Sequence, residues 1–169
     1  MATTPFDAVV AEHGGRILRV CRAVLGPTAD ADDAWSETFL AALRAWPDFP
    51  DEDRARPGRV EAWLVTIAHR KAIDVTRARA RRAVPVAEIT EPAPVPEPPG
   101  DRADQAWAAL RRLPDKQRRA VAYHHLGGLK YAEIAELLGG SVEAARKAAS
   151  DGVKALRTAL AGPDEGARS

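Results

Sequence analysis

The stretch VPVAEITEPAPVPEPPG, residues 84–100, limits the folds open to this chain more than any other feature. It holds six prolines, three glutamates and no basic residue. Proline lacks an amide hydrogen and fixes φ, so such a run neither sustains a helix nor enters a central strand. It reads as a semi-extended linker with polyproline character. The 169 residues then divide into a first half 1–83, the linker 84–100, a second half 101–162 and a polar tail 163–169. Neither half repeats the other, and a sizeable core requires that the two not be split.

Both halves carry helical periodicity, and with aromatics at only 5% and abundant alanine the chain suits helices packed through small residues. The expected class is all-α, two small helical domains. Residues 5–25 give a weak helix, loosened by Gly14 and Gly15. Asp30 can cap the next helix, which runs to about Trp46 with Asp32 and Asp33 in its first turn and an apolar stripe of Ala31, Trp35, Phe39, Ala42 and Trp46. Pro47 ends it. A third helix runs from near Val60 to about Arg82. In the second half, 104–113, 115–126 and 131–138 read as helices broken by Pro114, Gly127-Gly128 and Gly139-Gly140. Ser141 caps a last helix with a stripe of Val142, Ala145, Ala149, Val153, Leu156 and Leu160.

The pair 131–138 and 142–160 is a helix-turn-helix pattern. The first helix braces the second, whose N-terminal residues can reach base edges in a DNA major groove while cations and backbone amides hold phosphates. Lys130 and Tyr131 start the bracing helix, and Arg146 and Lys147 lie in the first turns of the second. A plain helical hairpin with a solvated face fits the same pattern.

Charge distribution favours DNA. Between Arg70 and Arg82 there are six basic residues and one acid, Asp74. Arg70, Arg77 and Arg81 share a face with Asp74, and Lys71, Arg79 and Arg82 widen it. Beside Trp63, this face is expected to contact phosphates, with stacking on bases nearby. The formal net charge of +1 hides this asymmetry.

Enzyme chemistry finds little support. Adjacent His124 and His125 point to different faces and cannot form the i, i+4 pair that binds zinc. His13 and His69 have no carboxylate or cysteine partner at ligand spacing. No glycine-rich phosphate loop or nucleophile elbow occurs. A lone Cys21 makes neither an internal disulfide nor a metal cluster and reads as a buried spectator. No catalytic residue, metal or cofactor is expected. With no long apolar stretch and no leader-like N-terminus, the expected location is the cytoplasm, without membrane insertion.

Three segments, in order, resemble the extracytoplasmic-function (ECF) group of bacterial sigma-70 family RNA polymerase sigma factors. DADDAWSETFLAAL (30–43) is similar to region 2.2, EAWLVTIAHRKAIDVTRARARR (61–82) to regions 2.3 and 2.4, and LPDKQRRAVAYHHLGGLKYAEIAELLGGS (113–141) to region 4. The resemblance implies that the first domain docks on the polymerase β′ clamp helices and captures the melted −10 element. Region 4 then reads the −35 element and contacts the β flap. By position, Asp32, Asp33, Ser36, Glu37, Phe39 and Leu40 fall in the polymerase-docking segment, and residues 47–59 replace a loop near the flipped promoter base. Trp63, Arg70, Lys71, Asp74, Arg77, Arg79, Arg81 and Arg82 face the −10 DNA. Lys130, Tyr131, Ser141, Glu143, Ala144, Arg146 and Lys147 fall at the −35 groove. The family often has an anti-sigma factor as a further partner, although nothing in this chain requires one.

The sequence also departs from the family pattern. Ala34 replaces a usual leucine and Ser36 a glutamine. Ala148 and Asp151 stand where arginine is frequent, which implies two lost phosphate contacts and a weakened −35 grip. The expected function is a sigma factor directing core RNA polymerase to promoters. Two other readings stay open: a degenerate sigma-like protein that binds polymerase or an anti-sigma factor but reads DNA poorly, and a stand-alone helix-turn-helix repressor.

Overall fold

A computed structural model describes residues 4–82 and 102–162, and among them every regular element is helical. The proline-rich linker and the polar tail expected from the sequence lie outside the described residues. The elements are α1 (Phe6–Leu25), α2 (Ala29–Ala45), a 3-10 turn (Trp46–Asp48), α3 (Asp51–Arg54) and α4 (Arg59–Arg82). After the linker come α5 (Arg102–Arg112), α6 (Asp115–Val121), a π-helical turn (Ala122–Leu126), α7 (Tyr131–Leu138) and α8 (Val142–Leu160).

In the first half α1, α2 and α4 pack against one another. The glycines do not loosen α1. Gly14 is buried because the Trp35 indole lies against it: Trp35 Nε1 donates to the Gly14 carbonyl at 2.9 Å, and a Cβ there would stand 3.5 Å from the ring. Nor does Asp30 cap α2. The helix begins two residues earlier, at Ala29 with Thr28 at its N-cap, and the Asp30 carboxylate instead pairs with Arg79 across the bundle. The stripe of α2 is buried as its spacing requires, with Ala31 and Ala42 at 0% exposure and Trp46 at 6%.

In the second half α8 packs on α5, α6 and α7. The continuous helix expected over 115–126 changes pitch. Residues 122–126 form the π turn, in which Gly127 N donates to the Ala122 carbonyl and Leu129 N to that of Tyr123, both at 2.9 Å. A π turn carries one extra residue per turn and re-aims the side chains that follow it.

The buried cluster is continuous across the halves. Ile17, Leu64 and Val65 from the first belong to the same core as Tyr123, Leu129 and Ile134 from the second. Full burial of each large side chain is worth about 1.5–3 kcal/mol, so the seam between the halves is an apolar contact.

Gly152 lies mid-helix in α8, where alanine ordinarily stabilises by about 1 kcal/mol. Here a Cβ would stand 2.6 Å from Val121 Cγ2 and 3.4 Å from the Gln117 carbonyl oxygen. Overpacking outweighs propensity: Gly152→Ala is expected to lower stability by about 1–3 kcal/mol in urea denaturation. A raised midpoint would show that α8 can move off α6.

Candidate nucleic-acid interface

Helix α4 places its cations unevenly. Arg70, Arg77, Arg81 and Arg82 are exposed, and no ion pair holds them among the described residues; Lys71 is half-buried and Asp74 is exposed. Arg79 differs from its neighbours. Its guanidinium is taken up by Asp30 and reaches the Thr28 hydroxyl at 3.4 Å, so it braces α4 on α2 instead of standing free for DNA. Trp63 is half-buried in an aromatic cluster, 4.7 Å from Phe49 and 6.0 Å from Trp46 between ring centroids. The segment 47–59 is pinned beside it. Arg54 lies over the Trp46 ring at 4.4 Å and donates to the Trp46 carbonyl at 2.6 Å.

In the hairpin, Ser141 caps α8 as its residue type predicts, its hydroxyl accepting from Ala144 N at 3.0 Å. At the start of α7, Lys130 N donates to the Glu133 carboxylate at 2.8 Å. Tyr131 and Ala144 are half-buried, while Glu143, Arg146 and Lys147 are exposed. Two expectations about lost contacts change. Ala148 is buried at 9% exposure on the inner face of α8, so it packs the hairpin and is not a missing phosphate contact. Asp151 accepts Lys147 Nζ at 2.6 Å, an i, i+4 pair that engages one of the two cations at the start of α8. Such an exposed pair contributes little stability, but it occupies the charge.

On α2, Asp32, Asp33, Ser36, Glu37 and Leu40 are exposed along the helix, and Asp32 lies 3.8 Å from Arg22. Phe39 is not part of that surface. It is buried at 6% exposure, its ring 4.9 Å from Trp35 and 6.4 Å from Phe6. Leu43, absent from the expected set, is 50% exposed next to Leu40 at 47%. Leucine at i and i+3 on an exposed face was the available signal.

The Trp63 end of α4 faces the second half across a cleft of about 390 Å³. Arg59, Trp63 and Arg70 line one wall, and Leu129, Glu133, Glu136 and Leu137 the other. Below it, His69 Nδ1 and the Tyr123 hydroxyl are 2.6 Å apart, both side chains buried. Burial lowers the His69 pKa from the usual histidine value, with the Arg119 guanidinium next in weight, against an opposing backbone hydrogen bond with Leu137. Burial likewise raises the Tyr123 pKa. Gly127 permits the approach, since a Cβ there would stand 3.1 Å from Val65 Cγ2 and 2.8 Å from the Tyr123 carbonyl oxygen.

His13 does have carboxylate neighbours: Glu12 Oε2 lies 3.8 Å from its Nε2 and, from far along the chain, Glu61 Oε1 lies 3.6 Å from its Nδ1, Glu61 also pairing with Arg16 at 3.1 Å. The His124 and His125 rings, expected to diverge, meet edge-on at 4.8 Å because the π turn carries them. Among the described residues no group of three or more acidic, histidine or cysteine side chains could hold a metal ion. Cys21 is buried and its thiol is pushed up to about 12, which keeps it protonated and inert. No helix among the described residues is long and apolar enough to cross a membrane.

Two family models match the chain in order, Sigma-70 region 2 over residues 9–82 and Sigma-70, region 4 over residues 103–156. The chain belongs to the sigma-70 family. It is 31% identical over 168 residues to the ECF RNA polymerase sigma factor SigE of Mycolicibacterium smegmatis, a match covering 95% of this chain and 63% of SigE. The chain thus spans less than two thirds of that relative. It is 30% identical over 167 residues to the ECF RNA polymerase sigma factor SigK of Mycolicibacterium vanbaalenii, covering 92% of this chain and 79% of SigK. These relatives place it in the ECF group. The sigma factor RpoE, solved with the anti-sigma factor NepR from Bartonella quintana, shares the fold with a TM-score of 0.71 at 18% identity, over 94% of this chain and 98% of that one.

In this sigma-70 family member the region 2 and region 4 matches meet at His69 and Tyr123, which makes that contact testable. The folded chain favours neutral His69, so the unfolded chain binds the extra proton. The stability this group contributes is complete above about pH 6.5 and is lost as the pH falls below it. Tyr123→Phe leaves His69 Nδ1 without its partner and is expected to destabilise the fold by about 1–3 kcal/mol at neutral pH. Urea denaturation of the two proteins checks this, and equal midpoints would mean that the contact contributes nothing.

Proposed function

We propose that this chain is a promoter-specificity subunit: it binds core RNA polymerase in the cytoplasm and directs it to a subset of promoters. The observation that carries the reading is the pair of sigma-70 matches in order, 9–82 and 103–156, with Arg70, Arg77, Arg81 and Arg82 exposed along the region 2 helix α4 and in no ion pair among the described residues. The chemistry of RNA synthesis belongs to polymerase; this chain contributes recognition. Residues 1–83 act as the polymerase-docking and −10 domain, 84–100 as the linker and 101–162 as the −35 domain.

The exposed acids Asp32, Asp33 and Glu37 with Leu40 and Leu43 form the docking face of α2 for the β′ clamp helices. Arg70, Arg77, Arg81 and Arg82, with Lys71, hold the backbone at the −10 element, and Trp63 stands at the edge of the opened strands. The N-terminal turns of α8 enter the −35 groove, with Ser141, Glu143, Ala144, Arg146 and Lys147 nearest the DNA and Lys130 and Tyr131 behind them. Region 4 also meets the β flap. Glu133 and Glu136 stand across the cleft from Arg59, Trp63 and Arg70, so DNA reaches that part of α4 only once the halves part. Polymerase, by holding the halves at a fixed separation, supplies that parting. An anti-sigma factor, the partner with which RpoE was solved, would act by keeping the chain from polymerase.

The degenerate-adaptor reading weakens because Ala148 is a packing residue. The stand-alone repressor has no use for a region 2 match spanning residues 9–82.

Transcription of fragmented genomic DNA by core polymerase, with and without this chain, is expected to give new RNA 5′ ends that share two spaced upstream elements. Binding to core without new starts would return the adaptor reading, and neither binding nor starts the repressor. Arg77→Glu with Arg81→Glu is expected to abolish those starts while core binding persists. Loss of core binding instead would mean that this face docks polymerase. Asp33→Arg is expected to lower core affinity without lowering the thermal midpoint, and unchanged affinity would remove α2 from the docking face.

A further inference from the structure

The side chain of Arg146 does not hang free from α8. Its guanidinium carbon lies 5.4 Å from the centroid of the Tyr131 ring, and that ring is stacked on the His124 imidazole at 4.1 Å with 17° between the planes. His124 is fixed in turn, its Nδ1 standing 2.8 Å from the Leu129 carbonyl oxygen. Three side chains from three elements, the π turn, α7 and α8, thus form one column that ends on an exposed cation. Beside it Lys147 is held by Asp151, and no ion pair engages Arg146 among the described residues.

We infer that His124 is a positioning residue for DNA reading: through the Tyr131 ring it fixes the Arg146 guanidinium at the groove-facing start of α8. The inference rests on the proposed reading of α8 as the −35 helix. An exposed arginine samples many rotamers, and a planar cation laid on an aromatic face loses fewer of them when it meets DNA. Tyr131 is stacked on a ring that a carbonyl anchors, so the platform itself does not swing. The engagement of Lys147 makes this column matter more, because Arg146 is then the cation in the first two turns of α8 that remains open to a phosphate or a base edge.

The test uses the full chain and a mixed-sequence duplex of about 30 base pairs, with affinity measured across salt. Arg146→Ala is expected to weaken binding roughly fivefold and to reduce the salt slope by about one contact. His124→Leu fills the space but removes both the stack and the hydrogen bond to the Leu129 carbonyl, and is expected to weaken binding about twofold to threefold in the wild-type background and not at all in the Arg146→Ala background. His124→Phe restores a ring for the stack without the hydrogen bond to the Leu129 carbonyl, and is expected to return part of the affinity.

Arg146→Lys keeps the charge without the planar face. It is expected to bind more weakly than arginine and to be indifferent to His124→Leu, a comparison that does not depend on the stability of any one His124 variant. Additive losses for His124→Leu and Arg146→Ala, or wild-type affinity for Arg146→Lys, each overturn the inference and leave the −35 reading intact. An Arg146→Ala variant that binds as tightly as the wild type overturns both.

Discussion

The hydrogen bond between His69 and Tyr123 joins the two halves of the molecule at the point where neither can reach water. An imidazole and a phenol each carry a polar atom into the seam, and each satisfies the other at 2.6 Å. Left alone, either group would cost about 1–3 kcal/mol for its lost solvation. Around this pair the seam is closed by fit: Gly127 lets the π turn come against Val65, and Gly128 stands near Arg16 and Glu61. The packing of α1 on α5, α6 and the π turn completes the seam, and the cleft between Trp63 and Glu136 opens beside it.

Much of the fold was legible because periodicity in alanine-rich helices is a strong signal. The stripe of α2, the length of α4 and the Ser141 cap needed only local spacing. What was not legible were the facts settled by a partner far along the chain. Asp30 looks like a cap until Arg79, 49 residues on, takes its carboxylate. His13 looks unpartnered until Glu61 arrives with α4. Phe39 sat correctly on the apolar stripe of α2, yet the matching of segments drew it to the polymerase surface, and burial decides for the stripe. Ala148 shows the same conflict, because the position of a residue in a motif does not say which side of the helix faces the core.

The cations of the two candidate DNA faces sort by a simple rule. Where an acid one helical turn away or across a packed helix takes up the cation, the charge is spent inside the molecule, as with Lys147 on Asp151 and Arg79 on Asp30. Where no acid takes up the cation among the described residues, the charge stays available, as with Arg77, Arg81 and Arg146, even though Asp74 and Glu143 stand three residues before Arg77 and Arg146. Counting basic residues therefore overstates the phosphate-binding capacity of both helices. An acid placed four residues on can silence a cation without altering the fold.

The π turn at 122–126 divides one helix into two rotational settings. Up to Val121 the side chains are phased to α8; within the widened turn Tyr123 meets α4 and His124 meets α7. One inserted residue thus serves two different neighbours, which an α-helix of constant pitch could not face together. Restoring a regular pitch by deleting a single residue here would turn the following rings by roughly 100°. The seam and the stack under Arg146 would then be lost in the same stroke, so the length of this segment is constrained more tightly than its composition.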